Sequence, residues 1–206
     1  MPYALITGAA KGIGKAIAEE LALKGYRLLL LDIDKEALAH TADHIGTRYA
    51  VPVYTLHQDL SHPDAIQNIT AWSKPFHHEL SVVVNNAGYG LNGAFEQMPI
   101  SEQLNIIDVN VKAQLQIAYA FIPVLKKFKK SYLLNVGSTT CYQSVPYLSI
   151  YAASKAFVIS FTRSLRFELK DSAISVSCLS PGSTDTDFVN RARMGEHVRR
   201  TADRYI

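Results

Sequence analysis

Tyr3-Ala-Leu-Ile-Thr-Gly-Ala-Ala-Lys-Gly-Ile-Gly14 is the stretch whose reading decides the fold. Five residues of strand character, Tyr3–Thr7, run straight into a glycine-rich turn, and a helix-like segment follows near 12–24. Glycine at positions 8, 12 and 14 lets the backbone turn tightly and lets an anion approach without a Cβ in the way. Lys11 and Ile13 occupy the same loop. A helix that begins here points free N–H groups and the positive end of its dipole at the turn, which makes the loop a cradle for a nucleotide pyrophosphate.

Outward from that loop, short apolar runs alternate with longer amphipathic ones. Strands are expected at Tyr3–Thr7, Arg27–Asp32, Val51–His57, Ser81–Asn85, Ser131–Gly137 and Ile174–Ser180, with helices near 12–24, 35–45, 62–78, 101–127 and 150–171. Unbroken apolar strands such as Leu28–Leu31 and Val82–Val84 suit a parallel sheet covered on both faces. The alternation predicts a single α/β domain over 1–206, doubly wound and Rossmann-type, with a mostly parallel sheet and helices on both faces. Ser61-His-Pro-Asp64 reads as a capping box, Ser101 as a cap for the long helix, and Gly25 as a helix stop.

Composition narrows the function classes. A 206-residue chain with 48% hydrophobic and 19% charged residues supports one well-buried domain. The net charge of +3 is too small to argue for nucleic acid, and Lys126–Lys130 sits where a long helix should end, so it reads as a solvated terminus. Two cysteines fit a reducing compartment, and seven scattered histidines show no metal-ligand spacing; His77 and His78 are read as surface residues. Leu28–Leu31 is far too short to span a membrane, and the chain enters its first strand without a leader, so a soluble cytoplasmic protein is expected.

Two further features carry chemistry. Tyr151 and Lys155 are four apart, on one face of a helix, and Ser138 lies thirteen residues before the tyrosine. An ammonium beside a phenol favours phenolate, which makes Tyr151 a proton donor or acceptor nearer neutral pH, with the Ser138 hydroxyl holding a substrate oxygen. Asp32 ends the second strand, eighteen residues past Gly14, where a carboxylate accepts hydrogen bonds from adenosine ribose hydroxyls and repels a 2′-phosphate. Asp32 could alternatively cap the next helix, although Asp34 is better placed. Lys11 argues for a 2′-phosphate; the carboxylate is weighted more heavily, so NAD is expected, with NADP the alternative.

Taken together these motifs resemble the short-chain dehydrogenase/reductase family. The Thr-Gly-x-x-x-Gly-x-Gly spacing at Thr7–Gly14, Asn85-Asn86-Ala87-Gly88, Asn110, Ser138, Tyr151 with Lys155, and Pro181-Gly182 occur in the family's order, over roughly residues 3–188. The resemblance implies an oxidoreductase acting on an alcohol or ketone, with Tyr151 as general acid or base and Ser138 orienting the substrate. Lys155 would lower the tyrosine pKa and bond the nicotinamide ribose, and Asn110 would hold a water linking Lys155 to solvent. It further implies adenine contacts from Asp59 and Leu60, cofactor contacts from Asn86, Ala87 and Gly88, and carboxamide contacts from Pro181, Gly182, Thr184 and Thr186. Each of these has a plainer reading: Asp59 as a turn cap, the threonines as helix caps, Asn85 as structural.

Family members usually continue past the segment numbered 183–206, the substrate-loop region, with another strand and helix; the expectation is that these are missing here. Tyr89, Leu91, Tyr142, Val145, Pro146 and Tyr147 are expected to flank an apolar mouth, which restricts the substrate to a secondary alcohol or its ketone. Helices 101–127 and 150–171 are where the family pairs, so a homodimer or homotetramer is expected, without nucleic-acid or membrane partners. A non-catalytic nucleotide-binding regulator of the same fold is the rival class.

Overall fold

The structure, a computed structural model, describes residues 1–182. Its strands are β1 (Tyr3–Thr7), β2 (Arg27–Asp32), β3 (Val53–His57), β4 (Leu80–Asn85), β5 (Ser131–Val136) and β6 (Ile174–Leu179). The helices are α1 (Gly12–Leu23), α2 (Lys35–Tyr49), α3 (Ala65–Ser73), α4 (Ile100–Ile107), α5 (Gln114–Leu125) and α6 (Ser149–Glu168). Among the described residues the sheet has six strands, in the order β3-β2-β1-β4-β5-β6, and every pairing is parallel.

The apolar strands explain the two covered faces. Side chains alternate along a strand, so Leu28 and Leu30 join Ala4, Ile6, Val82 and Val84 on one face, against Ala18 and Ala22 of α1 and Leu38 and Ile45 of α2. Leu29 and Leu31 join Leu5, Val83 and Leu133 on the other, against Ile69 of α3, Ile117 and Phe121 of α5, and Leu165 of α6. The unbroken run of leucines is therefore shared between two cores. The strand order reverses between β1 and β4, and a crevice opens at the carboxyl ends of the strands there.

Several boundaries depart from the sequence reading for identifiable reasons. Gly25 does stop the first helix, with φ of 81° and its N–H on the Ala22 carbonyl. The expected capping box does not form: Ser61 turns back to donate to Asp59 Oδ1 at 2.8 Å, and the helix begins at Ala65. Ser101 lies inside α4, whose N-cap is Pro99. The expected helix 101–127 is a helical run from Ile100 to Leu125 with a π-helical stretch, Asp108–Ala113, in its middle. His77 is half-buried rather than on the surface, edge-on to Phe121 and 3.0 Å from Ser73 Oγ. Lys126, Lys127, Lys129 and Lys130 are exposed just beyond α5, as expected of a helix terminus.

Phe121 is among the largest fully buried side chains, wedged between α5 and the sheet. Phe121→Ala is expected to lower the free energy of unfolding by about 3–5 kcal/mol, measured by urea denaturation; a loss well under 1 kcal/mol would remove it from the core.

Candidate active site

The floor of the crevice is a stitch between the ends of β1 and β4. Thr7 Oγ1 accepts from the Asn86 and Ala87 N–H groups at 3.0 and 2.9 Å. Asn86 returns its side-chain amide to the Thr7 and Gly8 carbonyls, both at 2.9 Å. Glycine is obligatory here. Gly8 has φ of 65°, and a Cβ on it would lie 2.8 Å from Ala87 Cα; one on Gly14 would lie 2.0 Å from the Gly8 carbonyl oxygen. At the start of α1, the N-cap Lys11 supplies no side-chain acceptor and the first turn carries no acid. The helix N-terminus therefore presents its N–H donors without a competing carboxylate, which suits the pyrophosphate of a dinucleotide.

One end of the crevice is built by two loops. Asp32 accepts from Ala10 N–H at 2.9 Å and from Asp34 N–H at 3.0 Å, so it braces the glycine loop rather than capping α2. Asp34 does the capping, through Ala37 N–H at 3.0 Å, and its other oxygen takes the Lys11 ammonium at 2.9 Å. That hydrogen bond from Lys11, with the Ala37 N–H, holds the Asp34 carboxyl below the usual range. Asp59 forms the turn expected of its plainer reading, with Oδ1 accepting from Ser61 N–H and Oγ, yet it also lines the crevice beside Leu60. Asn85 is buried and donates to Asn135 Oδ1 at 2.9 Å.

At the other end, α6 delivers Tyr151 and Lys155 to the carboxyl end of β5, and Ser138 follows that strand directly. All three are buried. The Ser138 hydroxyl is within hydrogen-bonding reach of the Tyr151 phenol and accepts from Thr140 N–H at 3.2 Å. Lys155 Nζ donates to the Val136 carbonyl at 2.8 Å and lies 5.8 Å from the centre of the Tyr151 ring. Burial raises the Tyr151 pKa, opposed by the bond with Ser138; burial also lowers that of Lys155 to about 8. In this geometry burial is the larger influence on the phenol and Ser138 is the group that opposes it.

Asn110 ties the loop after β4 to α6. It is fully buried in the π-helical stretch, donating to the Tyr89 carbonyl at 2.8 Å and to Ser154 Oγ at 3.0 Å, while its Oδ1 accepts from Tyr89 N–H at 3.0 Å. With both donors taken, the side chain is a brace for the loop after β4. Ser154 in turn donates to the Tyr151 carbonyl at 2.7 Å, which carries the brace to α6.

One crevice of about 820 Å³ joins these parts. Its walls include Gly8, Lys11, Gly12, Ile13 and Gly14 from the first loop, and Asp32 and Leu60 from the next two. Asn86, Ala87 and Gly88 follow from β4, Ser138, Tyr151 and Lys155 from the ends of β5 and α6, and Pro181 and Gly182 from the segment after β6. Thr184 and Thr186 lie outside the described residues. Of the expected mouth residues, Tyr89 lines the crevice; Tyr142 lines a separate recess of about 300 Å³ with Cys141. Leu91, Val145, Pro146 and Tyr147 do not line the crevice; Leu148 does. Sequence reasoning missed Gly90, where a Cβ would lie 2.9 Å from Tyr151 Cγ. Its signal was the second glycine of Gly88-Tyr-Gly90.

Lys155 couples this site to stability. Its pKa falls from 10.5 to about 8 on folding, so between those values the unfolded chain binds more protons and stability rises with pH. Below pH 8 the buried ammonium costs roughly 3 kcal/mol. In Lys155→Met this term is gone, so the variant's stability relative to wild type is greatest near neutrality and declines toward pH 10.5. Urea unfolding of both proteins across that range checks it; a difference that does not change with pH contradicts it.

Comparison with known proteins agrees with this geometry. The short chain dehydrogenase family model matches residues 2–197. An uncharacterized oxidoreductase of Staphylococcus saprophyticus is 31% identical over 183 residues, covering 89% of this chain and 78% of that protein. A short-chain dehydrogenase from Sphingobium yanoikuyae, solved in complex with NADPH, superposes with a TM-score of 0.88 at 29% identity, over 98% of this chain and 82% of that one. Another from Burkholderia phymatum, in complex with NAD, gives a TM-score of 0.87 at 27% identity, over 98% and 78%. A parallel six-stranded sheet, a glycine cradle at its switch point and a match across nearly the whole chain lead to one conclusion: the protein belongs to the short chain dehydrogenase family and is one of its oxidoreductases.

Proposed function

We propose that the protein interconverts a secondary alcohol and its ketone with NAD(H), using Ser138, Tyr151 and Lys155. The observation that carries this reading is that the three side chains line the same crevice as the glycine cradle. When bound, the nicotinamide dinucleotide supplies the hydride acceptor or donor. The Ser138 hydroxyl holds the substrate oxygen, and Tyr151 moves the proton at that oxygen, donating in reduction and accepting in oxidation. Burial keeps the phenol protonated near neutrality, ready for the reducing direction. Lys155, fixed by the Val136 carbonyl, supplies positive charge behind Tyr151 and a donor for the nicotinamide ribose. Asn110 braces the Tyr89 loop against α6, through Ser154.

NAD is favoured because Asp32 is held with its carboxylate in the crevice, where a 2′-phosphate would meet a negative charge. NADP is the second reading, favoured by the Lys11 ammonium on the same wall. Val109 and Leu148 give the crevice apolar walls suited to an uncharged substrate. Leu104, Leu115, Tyr119 and Phe167 are exposed on α4, α5 and α6, which supports pairing with further copies of the chain. Cys141 and Cys178 are both free thiols, which suits a reducing, cytoplasmic setting, and among the described residues no helix is long and apolar enough to cross a membrane.

Tyr151→Phe removes the proton route alone: turnover on a panel of secondary alcohols should fall by about 10²–10⁴-fold while cofactor affinity is kept. Unchanged turnover would exclude Tyr151 as the acid/base. Asp32→Ala should move the ratio of NADH to NADPH affinity toward NADPH, and an unmoved ratio would take Asp32 out of cofactor choice.

A further inference from the structure

We propose that Asp34 sets cofactor choice without touching the cofactor, by holding the Lys11 ammonium away from a ribose 2′-phosphate. The inference rests on the reading that the crevice takes a nicotinamide dinucleotide. Lys11, Asp32 and Asp34 line the same end of the crevice. Two staples join the loop after β1 to the loop after β2: Ala10 N–H on Asp32 and the Lys11 ammonium on Asp34, both at 2.9 Å. Two carboxylates and one ammonium leave this wall with a net negative charge, and its cation is matched by a carboxylate anchored at the start of α2.

A dinucleotide with free ribose hydroxyls needs only acceptors here, which Asp32 supplies. A 2′-phosphate, carrying close to two negative charges, needs a cation, and Lys11 is the lysine on this wall. To reach it the phosphate must compete with Asp34 and tolerate the charge of both carboxylates. The pair is half-exposed, with side chains 55% and 41% accessible, so it contributes little to folding. Breaking it leaves the domain intact while changing what Lys11 is free to do. Asparagine caps a helix as well as aspartate does, so Asp34→Asn removes the charge and keeps the cap that Ala37 uses.

The test measures dissociation constants for NADH and NADPH by nicotinamide fluorescence on wild type, Asp34→Asn, Lys11→Ala and the double variant. Asp34→Ser, which also retains a capping oxygen, is a second route if Asp34→Asn unfolds. Asp34→Asn is expected to tighten NADPH by about five-fold, the equivalent of one exposed ion pair, with NADH near its wild-type value. Adding Lys11→Ala should abolish that gain, whereas Lys11→Ala alone should change NADPH little. An unchanged NADPH constant in Asp34→Asn, equal gains for both dinucleotides, or a gain that survives loss of Lys11 would each overturn the proposal. A wild type that prefers NADPH would refute the NAD reading and leave this inference to be judged by the cycle. Failure of wild type to bind either dinucleotide would overturn both.

Discussion

The close approach of two main chains, Gly8 against Ala87, is the constraint on which the site depends. The sheet reverses its strand order between β1 and β4, so the loops leaving those strands diverge and leave a crevice. They must nevertheless stay in register for the crevice to have a floor. Thr7 and Asn86 achieve this by exchanging four hydrogen bonds between side chain and main chain across the two strands. The stitch leaves no room for a Cβ at Gly8 or Gly14, which brings the start of α1 down onto the floor. One local constraint thus fixes both the cradle and the loop that leads to Tyr151.

The same economy of space operates at the other end. Gly88 and Gly90 let the chain after β4 lie directly against Lys155 and Tyr151, where side chains would collide. The resulting burial has opposite effects on the two groups: it raises the phenol and lowers the amine. Their titrations are driven apart, so that the amine gives up its proton at a lower pH than the phenol. A buried ammonium is unfavourable for folding, so the site holds Lys155 at the expense of stability.

Much of this was legible in the sequence because it rests on local patterns. Leu28–Leu31 announced a strand buried on both faces, and the two cores divide those leucines as period-two alternation requires. The glycine loop and Asp32 were placed by spacing, Ser138, Tyr151 and Lys155 by spacing together with the family resemblance, and the fold carries them to one crevice. What escaped was set by tertiary contact. Ser61 caps nothing because Asp59 offers its hydroxyl a nearer partner. The π-helical stretch around Asn110 accompanies the clasp on Tyr89, a contact across twenty-one residues that no local pattern encodes. The capture of Lys11 by Asp34 likewise needed two loops from different strands to meet. Thr184 and Thr186 fall outside the described residues, so those two expectations stay with the sequence.

The central claim is that one crevice unites a dinucleotide cradle with a Ser138–Tyr151–Lys155 proton device. It is tested most directly by titrating the wild-type protein with NADH and with NADPH, following nicotinamide fluorescence, and then adding ketones to the complex. The account predicts saturable binding, tighter for NADH, and loss of the reduced-nicotinamide signal with at least one ketone. Absence of saturable binding for both dinucleotides would contradict it.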